Sequence, residues 1–365
     1  MSNPLDCDVL IAGAGPTGMS AAIALHDFGF KVILIDRHET GLGFSRAILV
    51  NSSALRALKP FGIHTKIEQA GVPFTSMAIR GPHGDIVSGA VGDAAPDGIR
   101  PISLPQLETE HCLNQGLSER GITVERPQTL VSFQQDGSHV ASVVEGPEGT
   151  RTLTSRYLLG ADGAHSKVRE TLQIDPHRTP EPLGMYSQDA ILNWEGEPDL
   201  VIWILDSGAV MAMRIGKDRV RFAATTRSTF EALGLSSRIQ ETTWESDFDV
   251  HFAQVDTYGV DRVWIAGDAA HVHSPIGGRG MNMGIADGIR FAEAVRDGNF
   301  EAYAADRHRV SGPWVSKNQR FTTLVSDSAF KGQAFRALIR TGYRTASLLL
   351  GGKAAQKIFA AMTQG

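Results

Sequence analysis

Cysteine is nearly absent from this 365-residue chain. Cys7 and Cys112 stand alone, with no metal-binding or redox spacing. That argues against a zinc site and against a disulfide framework, and it fits a reducing, cytoplasmic setting. No metal site is expected. Acid is missing after Asp327, where Lys331, Arg336, Arg340, Arg344, Lys353 and Lys357 make a basic tail. The whole chain is nevertheless acidic, with net charge −5, which argues against nucleic acid as the main partner. No residue from Val9 to His26 is formally charged. Asp6 and Asp8 flank that run instead of Lys or Arg, and three glycines and Pro16 break it. It therefore reads as neither a signal peptide nor a membrane span. There is no internal repeat, no low-complexity segment and no second Gly-x-Gly-x-x-Gly. The length suggests roughly two domains at about 150 residues each.

Glycine is abundant: 39 residues, or about 11% against a typical ~7%. The first group has a clear context. Asp8 to Ala12 reads as a buried strand, residues 13–18 as a tight turn, and about 16–28 as a helix ended by Gly29. Lys31 to Ile35 is a second strand, closing at Asp36. Runs of Val, Ile and Leu fit a parallel sheet covered on both faces. In Gly13-x-Gly15-x-x-Gly18, Gly13 permits the turn and Gly15 lets a pyrophosphate approach the backbone. Gly18 lets the helix pack on the strand, and the helix N-terminus faces the phosphates. Asp36, with Arg37 beside it, is placed to accept from a ribose. Strand, helix, strand and acid in register predict dinucleotide binding.

A second segment separates flavin from nicotinamide. Strand Val263 to Ala266 runs into Gly267-Asp268-Ala269-Ala270-His271, then Pro275-Ile276-Gly277-Gly278-Arg279-Gly280-Met281-Asn282 and a helix. An acid at a strand end can bind a polyol. A glycine loop lets peptide N–H groups reach a flat ring, and the helix N-terminus favours negative charge there, as on a reduced flavin. A third segment is Gly160-Ala161-Asp162-Gly163-Ala164-His165-Ser166-Lys167-Val168-Arg169. Between these lie hairpin texture from about 72 to 105 and helical texture from 105 to 120. Strands are predicted at 200–205, 209–215 and 219–226 in an antiparallel region ending near Gln254. The expected fold is α/β. A discontinuous Rossmann-like FAD-binding domain (1–72, 105–178 and 256–365, with C-terminal helices) carries an inserted antiparallel β-sheet substrate domain (73–104 and 179–255).

The three ordered segments resemble the class A flavoprotein monooxygenases, the para-hydroxybenzoate hydroxylase-like aromatic hydroxylases. The resemblance implies that Gly13, Gly15, Gly18 and Asp36 bind the adenosine diphosphate half of FAD. It implies that Asp268 binds the ribityl chain and that Pro275 to Asn282 line the isoalloxazine, including Gly277, Gly278, Gly280 and Met281. Asp162 belongs to a motif serving both FAD and NAD(P)H. Arg46 matches an arginine reaching toward FAD and pyridine nucleotide, and Gln106 matches a glutamine contacting FAD. Pro275, Arg279 and Arg46 are the catalytic candidates. The family usually has Glu at position 36, Gln at 279, Asn at 290 and Arg at 165. Arg279 matters most, since a fixed cation near the flavin alters its potential or meets an anionic substrate.

The implied reaction is hydroxylation of a small phenolic or heteroaromatic molecule with NADPH or NADH and O2, through a flavin C4a-hydroperoxide. Alternatives are an epoxidase or reductase acting on an isoprenoid or other lipophilic substrate, a halogenase, or a non-catalytic escort. Trp203, Met211, Met213 and Arg214 on the inserted strands are substrate-side candidates, weighed against ordinary sheet packing. His271 and His273 read as hydrogen-bonded structural residues before general bases. Arg336, Arg340 and Arg344 recur at helical spacing. They read as a solvated helix face over the cofactor domain, with docking on an anionic membrane the weaker alternative. At this length the thioredoxin-like third domain of some relatives is not expected. A monomer or homodimer is expected.

Overall fold

The computed structural model describes residues 4–41, 47–82, 84–91, 97–179, 182–275, 277–327 and 330–350, together with Lys353 and Lys357. Arg46 and Ile276 lie outside the described residues. The parallel core follows from three short apolar strands, the apolar half of a longer one and a two-residue edge. Val263–Ile265, Gly149–Gly160, Cys7–Ala12, Val32–Ile35 and Val124–Glu125 run side by side in that order, each pair parallel. Val9, Leu10, Ile11, Leu158, Leu159, Val263 and Ile265 are fully buried, as strands covered on both faces require. The strand Gly149–Gly160 does two jobs. Its solvated first half pairs antiparallel with Val140–Gly146, which pairs with Thr129–Gln135. Its apolar second half enters the core.

Helix Pro16–Asp27 packs closely on helix Gly280–Asp297 because both present small residues. A Cβ on Gly284 would stand 2.3 Å from Thr17 Oγ1, and one on Gly288 would stand 2.3 Å from Thr17 O. The ends of four neighbouring strands are laced together. Gly13 N donates to Ile35 O (2.8 Å), Ala161 N to Ala12 O (2.8 Å) and Ala266 N to Gly160 O (3.0 Å). The three motifs thus meet at the carboxyl edge of one parallel sheet, where such sheets bind ligands.

Among the described residues, the second large sheet has seven strands. Their order is Ile239–Val250, Leu183–Leu192, Arg219–Ala224, Gly208–Arg214, Leu200–Leu205, Ser76–Gly81 and Gly84–Ala90. One pair departs from the expected antiparallel pattern: Ser76–Gly81 runs parallel to Leu200–Leu205. These strands come from the two separate insertions, so no hairpin dictates their direction.

The last helices differ from the expectation. Helix Phe330–Leu350 packs on Phe300–Ser326 and on strands Gly84–Ala90 and Leu200–Leu205 of the inserted sheet. Arg336 is fully buried. Its guanidinium donates to Val325 O (2.9 Å), Asp327 O (2.7 Å) and Asp206 O (2.5 Å). Arg340 pairs with Asp206 at 2.9 Å. Two of the basic residues are therefore anchors to a sheet turn and not a solvated face. No helix of the described residues is long and apolar enough to cross a membrane.

Candidate active site

A cavity of about 720 Å³ opens along the edge where the three motifs meet and continues to the inserted sheet. Its first wall is the loop after Cys7–Ala12. Gly13 has φ +106°, and a Cβ there would lie 2.2 Å from Ala161 O. A Cβ on Gly18 would lie 1.9 Å from Gly13 O. Gly15 is different. Nothing stands within 4 Å of its Cβ position, and it faces the cavity. Asp36 closes this wall. Its Oδ2 accepts from Ala14 N (2.7 Å), and its Oδ1 accepts from His38 N (2.9 Å). Arg126 Nη1 approaches Asp36 Oδ1 at 3.2 Å, and Arg37 also lines the wall. Gln106 donates from its amide to Glu110 Oε1 (2.8 Å). Burial raises the Glu110 carboxyl above its usual range.

Asp162 stands on the second wall. Its Oδ2 caps helix Lys167–Thr171, accepting from Lys167 N (2.7 Å) and Val168 N (3.2 Å). Its Oδ1 is buried without a hydrogen-bond partner. Desolvation raises its pKa against these bonds. Arg169 ties this motif to the next by donating to Ala164 O (2.9 Å) and Ala269 O (2.8 Å).

The third wall is held by a buried charge cluster. Asp287 Oδ2 accepts from Gly267 N (2.9 Å) and lies 2.7 Å from His271 Nε2; its Oδ1 accepts from Arg307 Nη1 (3.2 Å). Asp268 lines the cavity just beyond this anchor. The glycine loop turns at Gly277 (φ +92°) and Gly278 (φ +60°), which donates to Pro275 O (2.9 Å). Asn282 clamps the loop, donating to Leu49 O (2.8 Å) and Gly278 O (2.7 Å) and accepting from Asn51 N (2.9 Å). Its side chain is therefore spent on the protein, and it stands outside the cavity lining. Pro275, Gly277, Gly278, Arg279, Gly280 and Met281 all line the cavity, and helix Gly280–Asp297 begins there.

The last wall is the inserted sheet. Leu200, Met211, Met213, Trp244 and Phe248 supply an apolar surface. Arg221 lies among them, 3% exposed, and donates to Asp189 Oδ2 (2.6 Å) with Trp244 stacked 5.1 Å away. Trp203 and Arg214 fall on the other face of their strands. Trp203 packs on the cluster containing Val201 and Phe222 and under Arg80. Arg214 pairs with the buried Asp199. Side chains alternate along a strand, so the face of Met211 and Met213 cannot also hold Arg214.

The residues present fit FAD on three independent observations: the open cradle at Gly15, the orphan Oδ1 of Asp162, and a helix N-terminus behind a glycine loop. Glu110, Arg126, Arg221 and Trp244 were not singled out from sequence. Only Glu110 had a signal there, four residues after Gln106 on one helix.

This fold and cavity define a flavin-dependent monooxygenase class. The chain belongs to the family described as FAD binding domain, whose model matches residues 6–216 and 217–312. It is 28% identical to a rifampicin monooxygenase from Rhodococcus hoagii over 91% of this chain and 74% of that protein. It is 27% identical to the 12-dehydrotetracycline 5-monooxygenase/anhydrotetracycline 6-monooxygenase of Streptomyces rimosus subsp. rimosus over 91% of this chain and 72% of that one. Its fold matches that of p-nitrophenol 4-monooxygenase from Pseudomonas putida DLL-E4, with TM-score 0.83 at 19% identity, over 97% and 96% of the two chains. The chain is an enzyme, an FAD-dependent monooxygenase that uses a reduced nicotinamide and O2. The epoxidase, reductase and halogenase alternatives find no support.

Proposed function

We propose that the enzyme hydroxylates a planar, electron-rich aromatic molecule, phenolic or heteroaromatic, seated between the glycine loop and the inserted sheet. One observation carries this reading. The same cavity that holds Gly15, Asp162 and Gly278 also reaches Leu200, Met211, Met213, Trp244 and Phe248. The relatives' names support it, since they describe monooxygenases of rifampicin and tetracycline-type compounds. Residues 73–104 and 179–255 act as the substrate side and the rest as the cofactor side. We place the enzyme in the cytoplasm, which its two free, buried cysteines suit, as a monomer or homodimer.

When bound, FAD supplies the redox and oxygen chemistry that puts one oxygen atom into the substrate. The chain's own residues bind, orient and shield. Gly13, Gly15 and Asp36 hold the nucleotide end on a turn whose packing Gly18 permits, with Arg37 and Arg126 at its rim. Gln106, Asp162 and Asp268 hold the middle. Pro275 and residues 277–281 present the ring, with Asn282 fixing their loop. Met211 and Met213 form an apolar wall that excludes water. Arg46 is assigned to the nicotinamide approach by its resemblance to the family arginine. No side chain is assigned as general base.

The test is direct. The purified protein should be yellow, and phenols or N-heterocycles should stimulate its NADPH or NADH oxidation. Labelled dioxygen should place one labelled atom in the product. Nicotinamide oxidation that yields only hydrogen peroxide across a broad aromatic panel would reject the aromatic-substrate reading.

A further inference from the structure

Trp314 belongs to none of the three motifs. It sits on helix Phe300–Ser326, directly after Pro313. Yet its indole packs on the ring-side loop. Arg279 Cζ lies 3.9 Å from the ring centroid. His273 meets the same indole edge-on, with centroids 6.2 Å apart and planes at 87°. One turn further along the helix, Asn318 Oδ1 accepts from Ser274 N at 3.1 Å. Trp314 and Asn318 share one helix face, so this face buttresses residues on both sides of Pro275.

Arg279 is 6% exposed and lines the cavity. Burial disfavours its charge and lowers its pKa. The face of an indole compensates part of that cost, because its quadrupole attracts a cation and its plane matches a guanidinium. An indole carries no formal charge, so it fixes the cation without cancelling its field. Burial holds the neighbouring His273 down to about 4, so the stack contains one cation, not two.

We propose that Trp314 is a positioning residue: it fixes the Arg279 charge at the ring-side loop, and the pair thereby raises the electron affinity of the bound flavin. This rests on the reading that Gly277 to Met281 meet the flavin ring. Two-electron reduction leaves negative charge on that ring unless a proton follows, and a fixed cation beside it favours the charged form.

The test uses the FAD-loaded enzyme and needs no substrate. Midpoint potentials are measured against a reference dye. Sulfite affinity is measured alongside: the sulfur lone pair of sulfite bonds to flavin N5, and the displaced electron pair charges the ring. Arg279→Gln and Trp314→Leu should each lower the potential, and each should weaken sulfite binding by about tenfold or more. Trp314→Phe, which keeps a π face, should stay near the parent. The double variant should fall no further than Arg279→Gln alone, because both remove one interaction. If Trp314→Leu does not fold, Trp314→Met, apolar and without a π face, takes its place. A shifted potential in Arg279→Gln with none in the Trp314 variants overturns the positioning role, as does additivity in the double variant. An unshifted Arg279→Gln enzyme, together with normal FAD affinity in Gly278→Val, would instead reject the placement of the ring.

Discussion

His271 Nε2 lies 2.7 Å from Asp287 Oδ2, and the two side chains are 0% and 2% exposed. Burial alone pushes the imidazole pKa down, but the adjacent carboxylate outweighs it, and His271 is held above its ordinary 6.5. Burial likewise pushes Asp287 up, but His271 and Arg307 outweigh it, and the carboxyl is held below its ordinary 3.8. The signs fix a stability window. The His271 contribution is full below 6.5 and is lost as pH rises through its elevated pKa. The Asp287 contribution is full above 3.8 and is lost as pH falls through its depressed pKa. Unfolding free energy from urea titrations at a series of pH values should therefore decline on the alkaline side, and His271→Gln should flatten that decline. An unchanged slope in the variant would show that the pair is not charged.

Removing the acid is a harsher change. Asp287→Ala takes from Arg307, which is 6% exposed, one of its two carboxylate partners, leaves buried His271 without its own and frees Gly267 N, so it should cost about 3–5 kcal/mol. FAD retention should fall with it, because Gly267 precedes Asp268. Denaturant titration with and without added FAD separates the two effects. A variant as stable as the parent would show that Asp306, which also pairs with Arg307, suffices.

Two glycines of one motif should separate folding from binding. Gly18→Val forces a Cβ to 1.9 Å from Gly13 O, and overpacking of this kind costs about 1–3 kcal/mol or more. Gly15→Val adds a Cβ that lies in open space, with nothing within 4 Å beyond its chain neighbours. Its apoprotein should melt like the parent, while FAD affinity drops by about tenfold or more, since the added side chain occupies the phosphate path. Thermal melts of the apoprotein and fluorescence titration with FAD measure both. Full FAD affinity in Gly15→Val would remove the pyrophosphate from this loop.

These glycines also show what could be read before the structure was known. Gly13, Gly15 and Gly18 declare themselves because a turn between a strand and a helix repeats a local geometry, and local geometry is written in neighbouring residues. The three motifs come together for a reason the sequence states only indirectly: each follows an apolar strand, and parallel strands share one carboxyl edge. The inserted sheet is less legible. Asp189 faces Arg221 through cross-strand register, and register depends on partners far apart in the chain. Trp203 and Met211 both lie on predicted strands, yet the alternation of side chains sends them to opposite faces. Arg336 looked like one more exposed base at helical spacing. The turn after Leu205 is itself marked by Asp206-Ser207-Gly208, but the burial of Arg336 depends on that distant turn meeting the last helix, and no local pattern announces the contact.

That buried arginine yields a test of the tail. Its two terminal guanidinium nitrogens donate to three carbonyls, so Arg336→Ala leaves those acceptors unpaired and removes a packed stem, at about 1–3 kcal/mol. Helix Phe330–Leu350 should loosen, and limited proteolysis should cut the C-terminal region faster. Arg344→Ala, at a position exposed to solvent, should leave cleavage unchanged. Equal cleavage of the two variants would mean that Arg336 does not anchor the helix.

His273 lies beside the glycine loop, its Cε1 3.7 Å from the Cβ position of Gly280, and the tempting inference is that it acts as a base. Burial argues otherwise. It holds the imidazole down to about 4, while a hydrogen bond to Ser274 O engages Nδ1 at 2.9 Å. The ring is therefore neutral throughout the range from about pH 6 to 9, and a group that does not change charge cannot shape a pH profile there. His273→Gln should lower kcat/KM through lost packing on Trp314 while leaving the shape of its pH dependence intact. Disappearance of an acidic limb in that variant would assign the titration to His273 and place a proton-transfer step on it. Persistence of the limb directs attention to the other groups lining the cavity, among them Glu110 and Asp162, whose carboxyls burial raises above their usual range.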